Sequence, residues 1–69
     1  MDINFLKKFE GKNCFFLLQN GRQYKGLFEE VIFMGNDGKN EIYLVGIIDR
    51  NKKYVAFDSR EIKLIQEEV

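Results

Sequence analysis

Residues 11–28 read GKNCFFLLQNGRQYKGLF, and no other stretch limits the fold of this chain as tightly. Cys14, Phe16 and Leu18 fall on one side of an extended backbone, and Tyr24, Gly26 and Phe28 repeat that spacing after Asn20-Gly21. Alternation of this kind marks a strand with one buried face, so the pattern predicts a β-hairpin. Asn-Gly at its tip suits a type I′ turn, whose two central residues both need φ > 0. Gly26 stands mid-strand, where a β-branched residue would be expected. It predicts a bend or bulge that lets a small sheet curl toward closure.

The remaining elements follow in order. Asp2 is placed as an N-cap and Gly11 as a C′ residue, with Phe5, Leu6 and Phe9 as an apolar stripe between them, which predicts a helix over about residues 3–10. So short a helix does not stand alone in water, and its stripe must lie against the sheet with Lys7 and Lys8 outward. After the hairpin a long strand runs to residue 34, and 35–40 are dense in turn formers. A strand over 41–48 is apolar on both faces, as if covered on two sides. Further strands are predicted at 54–57 and 62–66, with turns at 49–52 and around 58–60. The result is one mostly β domain over 1–69, with a helix and five strands, the barrel occupying about 11–67.

Size then constrains how such a domain is stabilised. A chain of 69 residues buries only about 60% of its unfolded surface, and small cores usually need disulfides, a metal or self-association. One cysteine forms no internal bridge, and without histidine there is no Cys/His zinc spacing. Self-association remains, with no metal and no cofactor expected. Cys14 reads as a small buried hydrophobe. No apolar run approaches the roughly 18 residues of a membrane span, and nothing resembles a signal peptide, so a soluble cytoplasmic protein is expected. Net charge is zero, which argues against a broad phosphate binder. Residues 1–28 nevertheless carry five basic and two acidic side chains, net +3, balanced by −3 in the rest. No nucleophile and base pattern or phosphate-cradling loop is present, and Glu29 and Glu30 would point to opposite faces of a strand. The expectation is a non-enzyme without a small-molecule substrate.

With these residues assembled, the chain resembles the Sm/LSm/Hfq family, which implies a short N-terminal helix followed by a strongly bent five-stranded antiparallel SH3-like (Sm) barrel. The first Sm motif corresponds to Gly11, Cys14, Phe16, Leu18, Asn20 and Gly21, continued by Gly26 and Phe28. The second motif, an apolar residue followed by Arg-Gly and then an isoleucine, falls on Phe57, Asp58, Ser59 and Ile62, where only the apolar ends agree. The Lys-His signature of bacterial Hfq is absent. The longer loop and missing Arg-Gly resemble divergent Sm-like domains such as that of ataxin-2.

The resemblance implies a loop after the second strand that holds an unpaired base between a stacking residue and an asparagine. Counting from Gly26 assigns Ile32 to the family's aspartate, Met34 to the stacking residue and Asn36 to the asparagine, while a loop insertion would make Asn40 the equivalent. Phe33 is a second stacking candidate. Arg60, in the last turn, is the cation candidate, with an ion pair to flanking Asp58 or Glu61 as the alternative. The family joins the fourth strand of one subunit to the fifth of the next, which here implies an interface of Tyr54, Val55, Ala56 and Phe57 with Ile62, Lys63, Leu64 and Ile65. Phe15 and Leu17 suggest a covered outer face, the N-terminal helix being one candidate cover. Two functions follow from the resemblance: a homo-oligomeric ring that binds single-stranded RNA, or an adaptor that assembles in the same way and binds protein. A monomeric SH3-like barrel of the translation machinery is a third.

Overall fold

The structure, a computed structural model, describes residues 2–69. A helix α1 (Ile3–Lys7) precedes five strands, β1 (Asn13–Leu18), β2 (Gln23–Asp37), β3 (Asn40–Asp49), β4 (Tyr54–Asp58) and β5 (Ile62–Glu67). All pairings are antiparallel and the spatial order is β4-β3-β2-β1-β5. The sheet is open. A three-residue 3-10 turn, Ser59–Glu61, carries the chain from one outer strand to the other, and each outer strand is paired on one side only.

The expected alternation holds in the first hairpin. Cys14, Phe16 and Leu18 are buried with Gly26 and Phe28 across from them, while Tyr24 is half-buried. The turn differs from the expected type I′. Leu18 N–H donates to the Arg22 carbonyl at 2.9 Å and Gly21 N–H to the Leu18 carbonyl at 3.0 Å, enclosing a three-residue loop in which Gly21 (φ +87°) has positive φ and Asn20 does not. This is the arrangement of a type I turn closed by a G1 bulge. Asn20 uses its side chain instead, accepting from Arg22 N–H at 2.9 Å. The β3–β4 loop repeats the design with Lys52 (φ +63°) in the place glycine usually takes. Asp49 braces it, its carboxylate accepting from the N–H groups of Asn51 and Lys53 at 2.8 and 2.9 Å.

At roughly 3.3 Å per residue, β2 laid straight would run about 50 Å, but the longest dimension of the protein is 36 Å. It bends at two bulges, Glu29 and Met34. The first bulge is three residues beyond Gly26, the position that sequence singled out. Gly26 serves a different need, because a Cβ there would stand 2.9 Å from Asp49 Cα and closer still to the Ile48 carbonyl oxygen. Glu29 resets the alternation, so that Phe28 pairs with Ile47, and Val31 with Val45, on the same inner face. The bend brings distant strands together. Phe16 on β1 and Phe57 on β4 lie three strand positions apart, about 14 Å in a flat sheet, yet their rings meet edge to face at 5.2 Å. Tyr24 stacks on Phe57 at 5.6 Å.

Helix α1 is shorter than expected. Asp2 caps it by accepting from Asn4 N–H at 3.1 Å, and after Lys7 the chain continues in i→i+3 turns to Gly11, whose N–H donates to the Phe28 carbonyl at 2.8 Å. Leu6 is fully buried, with Ile3 and Phe9 against the core, whereas Phe5 is exposed and meets the ring of Phe9 edge to face. The helix therefore covers the inner face. Phe15 and Leu17 point to the other side and are half-buried beside Lys25, Gln23, Gln66 and Leu64. The outer residues of β3, Ile42, Leu44 and Ile48, are also only half-buried, so that strand is covered fully on one side alone. In β5 a bulge at Lys63 turns both Ile62 and Ile65 inward and leaves Leu64 exposed.

Candidate functional site

The turn expected over 35–40 is much shorter. β2 and β3 continue pairing to Asp37↔Asn40, and Gly38 (φ +62°) and Lys39 alone connect them. This two-residue connection has positive φ only at its first position, as a type II′ turn requires. Asn36 pairs with Glu41 just inside the tip, so Asn36 and Asn40 occupy neighbouring positions of one ladder, both exposed. Phe33 pairs with Tyr43, their rings edge to face at 5.8 Å, and Phe33 is 54% exposed. Met34, pushed out by the bulge, is 59% exposed. Beside the tip, Asp2 and Ile3 join Lys39, Asn40, Glu41 and Tyr43 around an open cleft of about 250 Å³. The Tyr43 hydroxyl donates to the Glu41 carboxylate, which pushes its pKa up to about 12.

Arg60 comes to the same end from the 3-10 turn. Asp58 caps that turn, one carboxylate oxygen accepting from Arg60 N–H at 2.8 Å. The same carboxylate takes the guanidinium in a fork, with Nε at 3.2 Å from both oxygens and Nη2 at 2.7 Å from one. Nη1 lies 3.8 Å from Asp37 on the β2–β3 tip. The hydrogen bond from Arg60 holds the Asp58 carboxyl below its ordinary range, and Asp58 in turn raises the guanidinium. Of the two flanking acids weighed from sequence, Asp58 is the partner. Asp37 was missed because only the strand register brings it to Arg60. Ser59 was also missed. It is buried where the resemblance expects glycine, and its Oγ accepts from Tyr43 N–H at 3.1 Å, tying the turn to β3.

The interface candidates all lie on the two outer strands. Phe57, Ile62 and Ile65 bury their side chains in the core, so Ile62 and Ile65 can offer a neighbour only their backbones, and Phe57, whose backbone faces β3, offers neither. Tyr54 and Leu64 are 49% and 44% exposed; Ala56 and Lys63 are exposed and Val55 half-buried. The ladders fix which backbone groups are unpaired. Lys53 carbonyl bonds to Asp49 N–H, so by alternation Val55 and Phe57 face β3 while Tyr54 and Ala56 direct N–H and C=O outward. Glu68 N–H donates to the Asn13 carbonyl, so Gln66 and Leu64 face β1 while Ile65 and Glu67 point outward. Tyr54 lies across Gly46, with Cζ 2.8 Å from where a Cβ would stand, and donates its hydroxyl to Glu30. That bond raises the Tyr54 pKa.

Neither protein-family models, nor curated proteins, nor solved structures give a match. Among the described residues no helix is long and apolar enough to cross a membrane, and no three His, Cys, Asp or Glu side chains group as metal ligands.

Proposed function

We propose that this chain is a divergent Sm-like protein whose copies join head to tail into a ring, β4 of one against β5 of the next, and that the ring holds short single-stranded RNA. The observation that carries the reading is the pair of unlike, unpaired edges on one bent open sheet. Unpaired strand edges recruit further strands, and unlike edges make a contact that closes into a ring or runs on as a filament. An N-terminal helix before five bent strands, with the fourth and fifth outermost, accords with the Sm resemblance.

The RNA half of the proposal rests on the β2–β3 tip. An unpaired base needs an apolar or aromatic platform and an amide that donates and accepts. Phe33 and Met34 offer the first, and Asn36, on the Phe33 face of the hairpin, the second, while Asn40 projects from the opposite face. The adaptor reading is favoured by one observation of its own, that Arg60 already lies among carboxylates in a chain of zero net charge. Native mass spectrometry tests assembly, and fluorescence anisotropy with labelled oligo-U and oligo-A at low and moderate salt tests binding. A ring whose micromolar binding is weakened by Asn36→Ala or Asn40→Ala is the expected result. A ring that binds neither oligonucleotide is the adaptor, and a lone subunit at high concentration removes assembly.

A further inference from the structure

All three guanidinium nitrogens of Arg60 face a carboxylate: Nε and Nη2 that of Asp58, Nη1 that of Asp37. Capping the 3-10 turn needs only one Asp58 oxygen on a backbone N–H. The fork onto the side chain is additional to that cap. The Arg60 and Asp37 side chains are 56% and 72% exposed, and exposed ion pairs add little to stability. The Asp58 side chain is less open, at 29%, but the exposed flank of the guanidinium lets a phosphate oxygen replace a carboxylate oxygen on the same planar fork.

We propose that Asp58 and Asp37 mask Arg60, so that an RNA phosphodiester engages the guanidinium only by displacing them. This rests on the RNA reading above and adds a restraint to it. A single cation whose charge is cancelled at rest does not collect nucleic acid indiscriminately, and RNA held elsewhere at the β2–β3 tip brings a phosphate to Arg60 at high local concentration. The two acids come from different elements, one from the hairpin tip and one from the turn, so the mask also senses whether those elements lie together.

Anisotropy titrations with labelled oligo-U test this in the wild type, Asp37→Asn, Asp58→Asn, Arg60→Ala and each acid variant combined with Arg60→Ala. Asn at position 58 retains a capping oxygen, so the turn is kept. Each single acid variant is expected to tighten binding about two- to five-fold, the range for an exposed pair, while the slope of log K against log salt stays the same, because the Arg60–phosphate contact forms in both chains; Arg60→Ala should make it shallower by about 0.7. Those gains should vanish in the Arg60→Ala background. Gains that persist there reflect general charge and overturn the mask, as do acid variants that bind like wild type while Arg60→Ala binds weakly. Equal binding by every chain overturns the mask and leaves the RNA reading standing. No binding by any chain removes both.

Discussion

Gly26→Ala isolates what the close approach of β2 to the β3 backbone requires. A Cβ at this position meets Asp49 Cα at 2.9 Å, Ile48 C at 2.9 Å and the Ile48 carbonyl oxygen still closer. All three atoms are backbone, held in the β2–β3 ladder through Gly26↔Asp49 and Leu27↔Ile48. Relief demands a shift of one strand against the other, and forcing atoms into a packed interior costs about 1–3 kcal/mol. Alanine recovers about 0.4–1 kcal/mol by restricting the unfolded chain, leaving a net loss centred on about 1.3 kcal/mol. In a core that supplies roughly 3–5 kcal/mol, that is a large fraction. The control is Gly46→Ala, where the three atoms nearest the added Cβ all belong to the Tyr54 side chain. That ring belongs to an exposed side chain on an outer strand and can swing aside at the loss of its bond to Glu30. Urea denaturation followed by circular dichroism, at one protomer concentration, should give a lower midpoint for Gly26→Ala than for Gly46→Ala with unchanged slope. Equal midpoints, or a milder effect at Gly26, would refute the view that close backbone approach is what excludes a side chain at Gly26.

Other consequences are open to direct measurement. Lys52→Gly relieves a positive φ and should add about 0.5–1 kcal/mol, raising Tm by about 2–8 °C in a calorimetric scan. Asp58→Ala loses the cap of the 3-10 turn and should cost about 1 kcal/mol. Because the native Asp58 pKa is lowered, chiefly by Arg60, its contribution is complete above its unfolded pKa of about 3.9 and is lost as pH falls through the lower native value. The Tm gap between wild type and Asp58→Ala, compared at pH 6 and in strong acid, should therefore narrow in acid. Burial, then the charge of Glu67, pushes the Cys14 thiol up to about 11, so a thiol reagent at pH 8 should label it only as fast as the protein unfolds. Ala56→Pro removes an outward N–H from β4 without touching the β3 ladder; circular dichroism should show a folded chain, and native mass spectrometry loss of its assembly.

The parts of the fold that sequence made legible are those set by local alternation. Cys14, Phe16, Leu18 and Phe28 announce their shared face through spacing alone, and Asp2 announces the helix start through its side chain. Bulges are harder to read because they break the spacing. Glu29 carries no residue signal for its extra position, and Lys63 hides the common direction of Ile62 and Ile65, which regular alternation would separate. Asn20-Gly21 identifies a turn without specifying whether one or both residues take positive φ. At the candidate site, the gathering of Asn36, Asn40 and Arg60 at one end could be expected from the family resemblance. The contact of Asp37 with Arg60 could not, since it depends on how far β2 and β3 extend toward the tip.

The place of β1 in the sheet has a consequence for the order of assembly within one chain. Phe16 sits beside Tyr24 on one flank and Ile65 on the other, so the first strand is completed by its immediate successor and by the last of the five. The early hairpin can form through nearby contacts, but capture of the final strand closes a long loop, the slow kind of step in small β proteins. Until that capture, the hairpin presents a bare margin to every other nascent copy around it, and the time spent waiting there sets how easily the protein aggregates before it matures.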